Sequence, residues 1–344
     1  MSNSHELVAP RFLISVAAFV IVVAGMKFAG PILVPFLLSG FFAIIAAPVL
    51  FWLKRWRVPV PAGILVVVVG IVVIVLAITG LVGSSVDDFS NNMPFYQQRL
   101  GEIASGSLNQ LTRLGVEVSS DAVLAQFDPA MALNLINNLL GGLGRVFSNG
   151  FLIFITMIFM LAEATDFPAK LHATMGGGSL EPFEKFSVNL KRYMAIKTVV
   201  SVITGALVTV WLLILGVDFP LLWGLLACLL NFVPTIGSII AAVPAVLLAL
   251  IQLGVGPAVL TAAGYIAVNL VMGNFIEPRY MGRGLGLSTL IVFLSLVFWG
   301  WVLGPVGMFL SVPLTMTVKI ALDSNEHTRW AAVLLGSEVP AAPR

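Results

Sequence analysis

A handful of amides, hydroxyls and charges interrupt the apolar stretches between residues 195 and 322: Asn231, Ser238, Asn269, Asn274 and the triplet Glu277-Pro278-Arg279. Groups of this kind are costly in lipid, so they face a cavity or pair with one another. Asn231 lies three residues before Pro234, and Ser238 directly follows Gly237. Glu277 with Arg279 has the chemistry of an ion pair, a proton-coupling site or a latch, and equally of a structural pair at the membrane–water boundary. Glu163, at the end of an earlier apolar run, has the same range of roles. Lys197 and Thr198 read as markers of a helix end rather than as site residues.

Catalytic chemistry has no matching pattern. His5, His172 and His327 are scattered, without the spacing of a paired metal site. Cys228 is the single cysteine, which excludes intramolecular disulfides and thiolate metal clusters. The glycine-rich run GRGLGLS (282–288) follows no strand and lacks the Gly-Lys-Ser/Thr that cradles phosphate. The expectation is therefore a chain that is not an enzyme, with no catalytic residues, metal, cofactor or nucleic-acid partner. Solute movement by such a chain would be passive or coupled to an ion gradient.

The elements that position these groups are membrane helices. Hydrophobic residues make up 59% of the chain and charged residues 10%, and the mean hydropathy is +1.05. A water-soluble surface cannot be built from that composition. Runs long enough for helices rather than strands occur near 8–30, 31–53, 58–83, 146–162, 195–216, 221–252, 256–273 and 288–320. The basic cluster Lys54, Arg55 and Arg57 belongs in the cytoplasm by the positive-inside tendency. That places the N-terminus inside and residues 84–145 outside. Leucine spacing in LNQLTRLG and MALNLINNLLGGL makes this segment an amphipathic helical subdomain, with helix starts at Ser120 and Asp128-Pro129. MGGGS (175–179) reads as a hinge within a second basic loop.

The run 221–252 would be roughly 48 Å long as one helix at 1.5 Å per residue, against a hydrocarbon core of about 30 Å. Within it, VPTIGSIIAAVP (233–244) resembles LGPVGMFLSVP (303–313) in the last long run. Proline removes a backbone donor and glycine accepts positive φ, so Pro234 with Gly237, and Gly304-Pro305-Val306-Gly307, are expected tips of re-entrant hairpins. The charges of EPRYMGRG (277–284) favour the same arrangement, because a hairpin at 221–252 returns that loop to the cytoplasm. The alternative is that the prolines kink two long, tilted spans.

The expected fold is an all-α integral membrane protein with about six full spans and two re-entrant hairpins in an inverted repeat. The boundaries are 1–83 for the first helices, 84–145 for the extracytoplasmic insertion, and 146–194 for a span with its cytoplasmic linker. Residues 195–322 form the half with both hairpins, and 323–344 a cytoplasmic tail. A transporter built this way would hold its substrate where the tips face each other.

YMAIKTVVSVITG (193–205), WGLLACLLNFVPTIGSIIAAVP (223–244), GNFIEPRYMGRGLGLSTL (273–290) and WGWVLGPVGMFLSVPLTMTVKIAL (299–322) closely resemble the autoinducer-2 exporter family. The likeness extends more loosely through RWRVP (55–59) and the helical subdomain. The resemblance implies a bacterial inner-membrane, multi-pass protein that exports the furanone-type signal autoinducer-2 or a similar small polar organic solute. Some relatives are similar to monovalent cation/proton antiporters, so a coupling proton or cation is the competing expectation. Homo-oligomers, with pentameric rings as one form, are also implied.

Overall fold

The structure is a computed structural model and describes residues 8–113, 150–164, 170, 173, 181–234, 236–281, 287–324, 326 and 328–336. Among these, every regular element is helical. In chain order they are α1 (Val8–Phe28), α2 (Gly30–Arg55), α3 (Val60–Arg113), α4 (Gly150–Glu163), α5 (Glu181–Leu215), α6 (Pro220–Leu230), α7 (Ile236–Leu253) and α8 (Val255–Asn269). A π-helix (Leu270–Ile276) leads into α9 (Glu277–Met281), followed by α10 (Thr289–Leu303), α11 (Pro305–Phe309), α12 (Ser311–Asp323) and α13 (Arg329–Leu334). Five helices among the described residues are long and apolar enough to cross a membrane, and shorter apolar helices accompany them. The chain is a multi-pass membrane protein, as its composition requires. The expected helix starts at Ser120 and Asp128-Pro129 and the MGGGS hinge lie outside the described residues.

The chain divides into two compact units. One combines residues 1–48, 152–191 and 284–344; the other combines 49–151 and 192–283. The two broken runs, expected in one C-terminal half, thus fall in different units.

In the unit holding residues 192–283, α3 is 54 residues long, roughly 80 Å at 1.5 Å per residue. It passes without interruption through the boundary expected at 83/84 and through Pro94. Its second half carries Phe89 and Tyr96, which are fully buried against Leu222 and Trp223 of α6. The base of the α6–α7 pair is closed by hydrogen bonds. Asp218 N–H donates to Gln252 Oε1 (2.9 Å), and Gln252 Nε2 donates to the Gly216 carbonyl (3.2 Å). Tyr96 Oη donates to Asp218 Oδ2 at 2.8 Å. Since Gln252 at the end of α7 reaches the residues that precede α6, the segment 220–253 runs out and back as an antiparallel helix pair.

The turn of that pair follows from Pro234. The Leu230 carbonyl would accept from the nitrogen of residue 234 in a continuing helix, and proline has no hydrogen there. Val233 N–H bonds to it instead at 2.8 Å. A Cβ on Gly237 would fall on this same carbonyl. Gly237 does not have positive φ, so the expected reason for its being glycine is corrected: α7 starts so close to the last turn of α6 that no side chain fits.

The other unit repeats this device. Gly304 has φ +69° and starts α11 with Pro305 in its first turn. From there the chain folds back along α10: Trp299 Nε1 donates to Thr315 Oγ1 at 3.0 Å, and a Cβ on Gly307 would fall on the Trp299 carbonyl. Positive φ therefore belongs to Gly304, while Gly307, like Gly237, is set by close backbone approach. α1 packs on α10 through Val23, Trp299, Val302 and Leu303. Lys27 Nζ lies 4.2 Å from the centre of the Trp301 ring.

Candidate functional site

The unit holding residues 192–283 contains a largely buried polar seam, and it begins with the face of α5. Tyr193, Lys197 and Ser201 follow at four-residue intervals, which places them one above another on one face. All three are buried. α5 and α8 run antiparallel. Near one end Trp211 Nε1 donates to the Leu260 carbonyl (3.1 Å), its ring lying where a Cβ on Gly264 would be. Near the other, Lys197 meets Glu277.

Lys197 Nζ donates to both carboxylate oxygens of Glu277, at 2.7 and 2.9 Å. The side chains are 5% and 19% exposed. A π-helix puts the carboxylate there. Glu277 N–H donates to the Met272 carbonyl, five residues back rather than four, and the wider turn brings Glu277 round toward the face that buries Met272. Single π-turns of this kind recur at functional sites.

One turn beyond Lys197, Ser201 Oγ accepts from Asn231 Nδ2 at 2.9 Å. Asn231 caps α6 at the tip of the helix pair. The seam thus runs from the ion pair, one helical turn along the same face of α5, to the hydroxyl–amide hydrogen bond at the tip. α6 is held close to α5 by paired glycines, since a Cβ on Gly205 would stand 2.6 Å from the Gly224 carbonyl and 2.7 Å from Cys228 Cβ. Small residues at such crossings allow backbones in lipid to approach.

The sequence-predicted residues divide accordingly. Asn231, Pro234, Gly237 and Ser238 stand together at the tip, and Glu277 joins the seam from the π-helix. Asn269 is half-buried at the start of the π-helix, and Asn274 is exposed. The pairing of Glu277 with Arg279 is not observed: Arg279 is exposed, and the carboxylate is held by Lys197. Glu163 is paired with Lys170 at 2.7 Å, both more than half exposed. In the other unit, Gly304, Pro305 and Gly307 form the second turn, and the Ser311 hydroxyl beyond it is fully buried without a hydrogen-bond partner. Sequence reasoning missed Lys197 and Ser201 as members of the site. A lysine within a run as apolar as MAIKTVVSVITG was the available signal, because an ionisable group at membrane depth requires a partner.

No group of three or more His, Cys, Asp or Glu among the described residues could hold a metal. The seam is polar and close to neutral, suited to hydrogen-bonding partners.

The model of the AI-2E family transporters matches residues 16–326. The chain is 40% identical to the AI-2 transport protein TqsA of Escherichia coli K12, over 94% of this chain and 95% of that protein. It is 41% identical to a putative transport protein of Haemophilus influenzae, over 98% of each. It is 36% identical to the putative transport protein YhhT of Escherichia coli K12, over 96% of this chain and 95% of that protein.

Proposed function

Because the chain belongs to the AI-2E family of transporters, we propose that it exports autoinducer-2, or a similar small polar organic solute, across the bacterial inner membrane without hydrolysing ATP. The observation that carries this reading is the seam of buried Ser201 and Lys197 with half-buried Asn231 and Glu277 beside a broken helix. Irregular backbone at membrane depth is tolerated where protein or a water-lined cavity satisfies it. A hydroxylated furanone offers the donors and acceptors that amide and hydroxyl groups recognise. The name of the E. coli relative supports the same solute.

A monovalent cation/proton antiporter is the less favoured reading. It needs a carboxylate that can take a cation or proton within the route, and both oxygens of Glu277 are already bonded to Lys197. Glu163 sits in an exposed pair.

The topology proposed with this function has six full spans and two re-entrant hairpins, 221–252 and 288–320, in an inverted repeat. α6 alone is too short to cross, at 11 residues or about 16 Å against roughly 30 Å of hydrocarbon. Both termini and the loop 278–286 are cytoplasmic and 84–145 extracytoplasmic, as the basic clusters favour. Lipid surrounds the exposed apolar faces, and the protein assembles as a homo-oligomer, for which a pentameric ring is one form.

Reconstituted protein tests the function. Liposomes loaded with autoinducer-2 should release it down its gradient at least tenfold faster with protein than without. The rate should be the same in sodium, potassium or choline salts. Sodium or potassium flux driven by an imposed proton gradient, with no autoinducer-2 release, would replace this reading with the antiporter.

A further inference from the structure

We propose that Lys197 is a tethered cation: it occupies the place on Glu277 that a sodium or potassium ion would otherwise take, and so makes this site indifferent to alkali cations. The inference deepens the reading of the seam as part of a transport route, by naming the residue that sets its ion specificity.

An ammonium and an alkali ion are alternative occupants of one carboxylate. They carry the same charge, and both seek oxygen. Here the ammonium contacts both oxygens of Glu277, at 2.7 and 2.9 Å, from a side chain that is 5% exposed. It is delivered by α5, a continuous helix fixed on one side of Lys197 by the Trp211 contact to α8 and on the same run by the Ser201–Asn231 hydrogen bond. A group tethered on a rigid element competes at an effective concentration that free ions seldom match. A displacing ion would also leave the lysine buried and charged without a partner, which is strongly unfavourable. Among the described residues, the arginines nearest the pair do not replace the lysine. Arg192 and Arg279, the arginines flanking the pair in sequence, are both exposed, and Arg192 Nη2 is directed at the Tyr280 carbonyl, 3.5 Å away.

Removing the ammonium should therefore turn Glu277 into a cation site. Beside the carboxylate, the neighbours of Lys197 on the same face of α5 carry neutral oxygens: Tyr193 one turn before it and Ser201 one turn after it.

The test is binding, read without any solute. Purified wild type, Lys197→Ala and Lys197→Ser are unfolded thermally in sodium, potassium or choline chloride at equal ionic strength. Both variants should unfold at a higher temperature in sodium or potassium than in choline, by about 2–4 °C once the ion is in tenfold excess over its dissociation constant. Wild type should not distinguish the three salts. Three results would overturn the proposal: specific stabilisation of wild type by sodium or potassium, folded variants that respond to no cation, or variants that fail to fold in every salt. The last counts because an ion able to bind Glu277 would restore them. Failure of autoinducer-2 release leaves this result untouched, so the two readings are separable.

Discussion

Gly237→Val and Gly307→Val should each abolish transport while the chain still inserts into the membrane. At both positions a Cβ lands on a backbone carbonyl, Leu230 in one case and Trp299 in the other. A side-chain neighbour could change rotamer, but a carbonyl in the last turn of a helix cannot. The two helices of each pair would have to separate at the turn, and overpacking of this kind costs about 1–3 kcal/mol or more. Even Gly237→Ala should show a large part of the loss. Gly70→Ala in α3 is the control, since nothing lies within 4 Å of its added Cβ, and it should be neutral or stabilising by up to about 1 kcal/mol. Membrane-fraction abundance, thermal unfolding and autoinducer-2 release, measured together, separate failure to insert from failure to transport. Near-normal release by both valine variants would mean that the turns are not part of the working structure.

The second large effect concerns the ion pair. In choline chloride, where no alkali ion can replace the ammonium, Lys197→Met leaves a largely buried carboxylate alone, and Glu277→Gln leaves a buried ammonium alone. Breaking a buried pair by removing one partner costs about 3–5 kcal/mol. The double variant Lys197→Met/Glu277→Gln has no uncompensated charge, so its stability should return to within roughly 1 kcal/mol of wild type. A coupling energy this large is the signature of direct contact. Additive losses, read by thermal unfolding of the four proteins in one detergent, would show that Lys197 and Glu277 do not act as a pair in the membrane.

The pair also marks the limit of what the amino-acid order makes visible. Apolar run lengths alone identify helices in place of each long run, and Pro234 and Gly304-Pro305 locate both breaks, because a missing donor and a positive φ are local properties. Glu277 and Lys197 are 80 residues apart, and only the antiparallel packing of α5 on α8 brings them together. The π-helix that turns Glu277 toward Lys197 has no sequence signature of its own, since LVMGNFI is compatible with an ordinary α-helix. Proximity in sequence suggested Arg279 as the partner, but that arginine is exposed. Gly237 and Gly307 were legible as special positions, but the reason was not: a close backbone approach depends on where the preceding helix lies. α3 continues past residue 83 because a change from apolar to amphipathic composition alters what a helix faces without ending it.

The claim that solute passes at the tip of the α6–α7 pair is tested most directly by a cysteine at Ser238. This residue follows Gly237, is half-buried, and stands at the same turn as Asn231. In a Cys228→Ala background, which keeps the Cβ packed near Gly205, Ser238→Cys provides a single thiol whose reaction with a small methanethiosulfonate reagent can be timed. Saturating autoinducer-2 should slow that reaction at least tenfold, and an unrelated sugar should not. A modification rate unchanged by autoinducer-2, in protein that still releases it from liposomes, would contradict the account and place the route elsewhere.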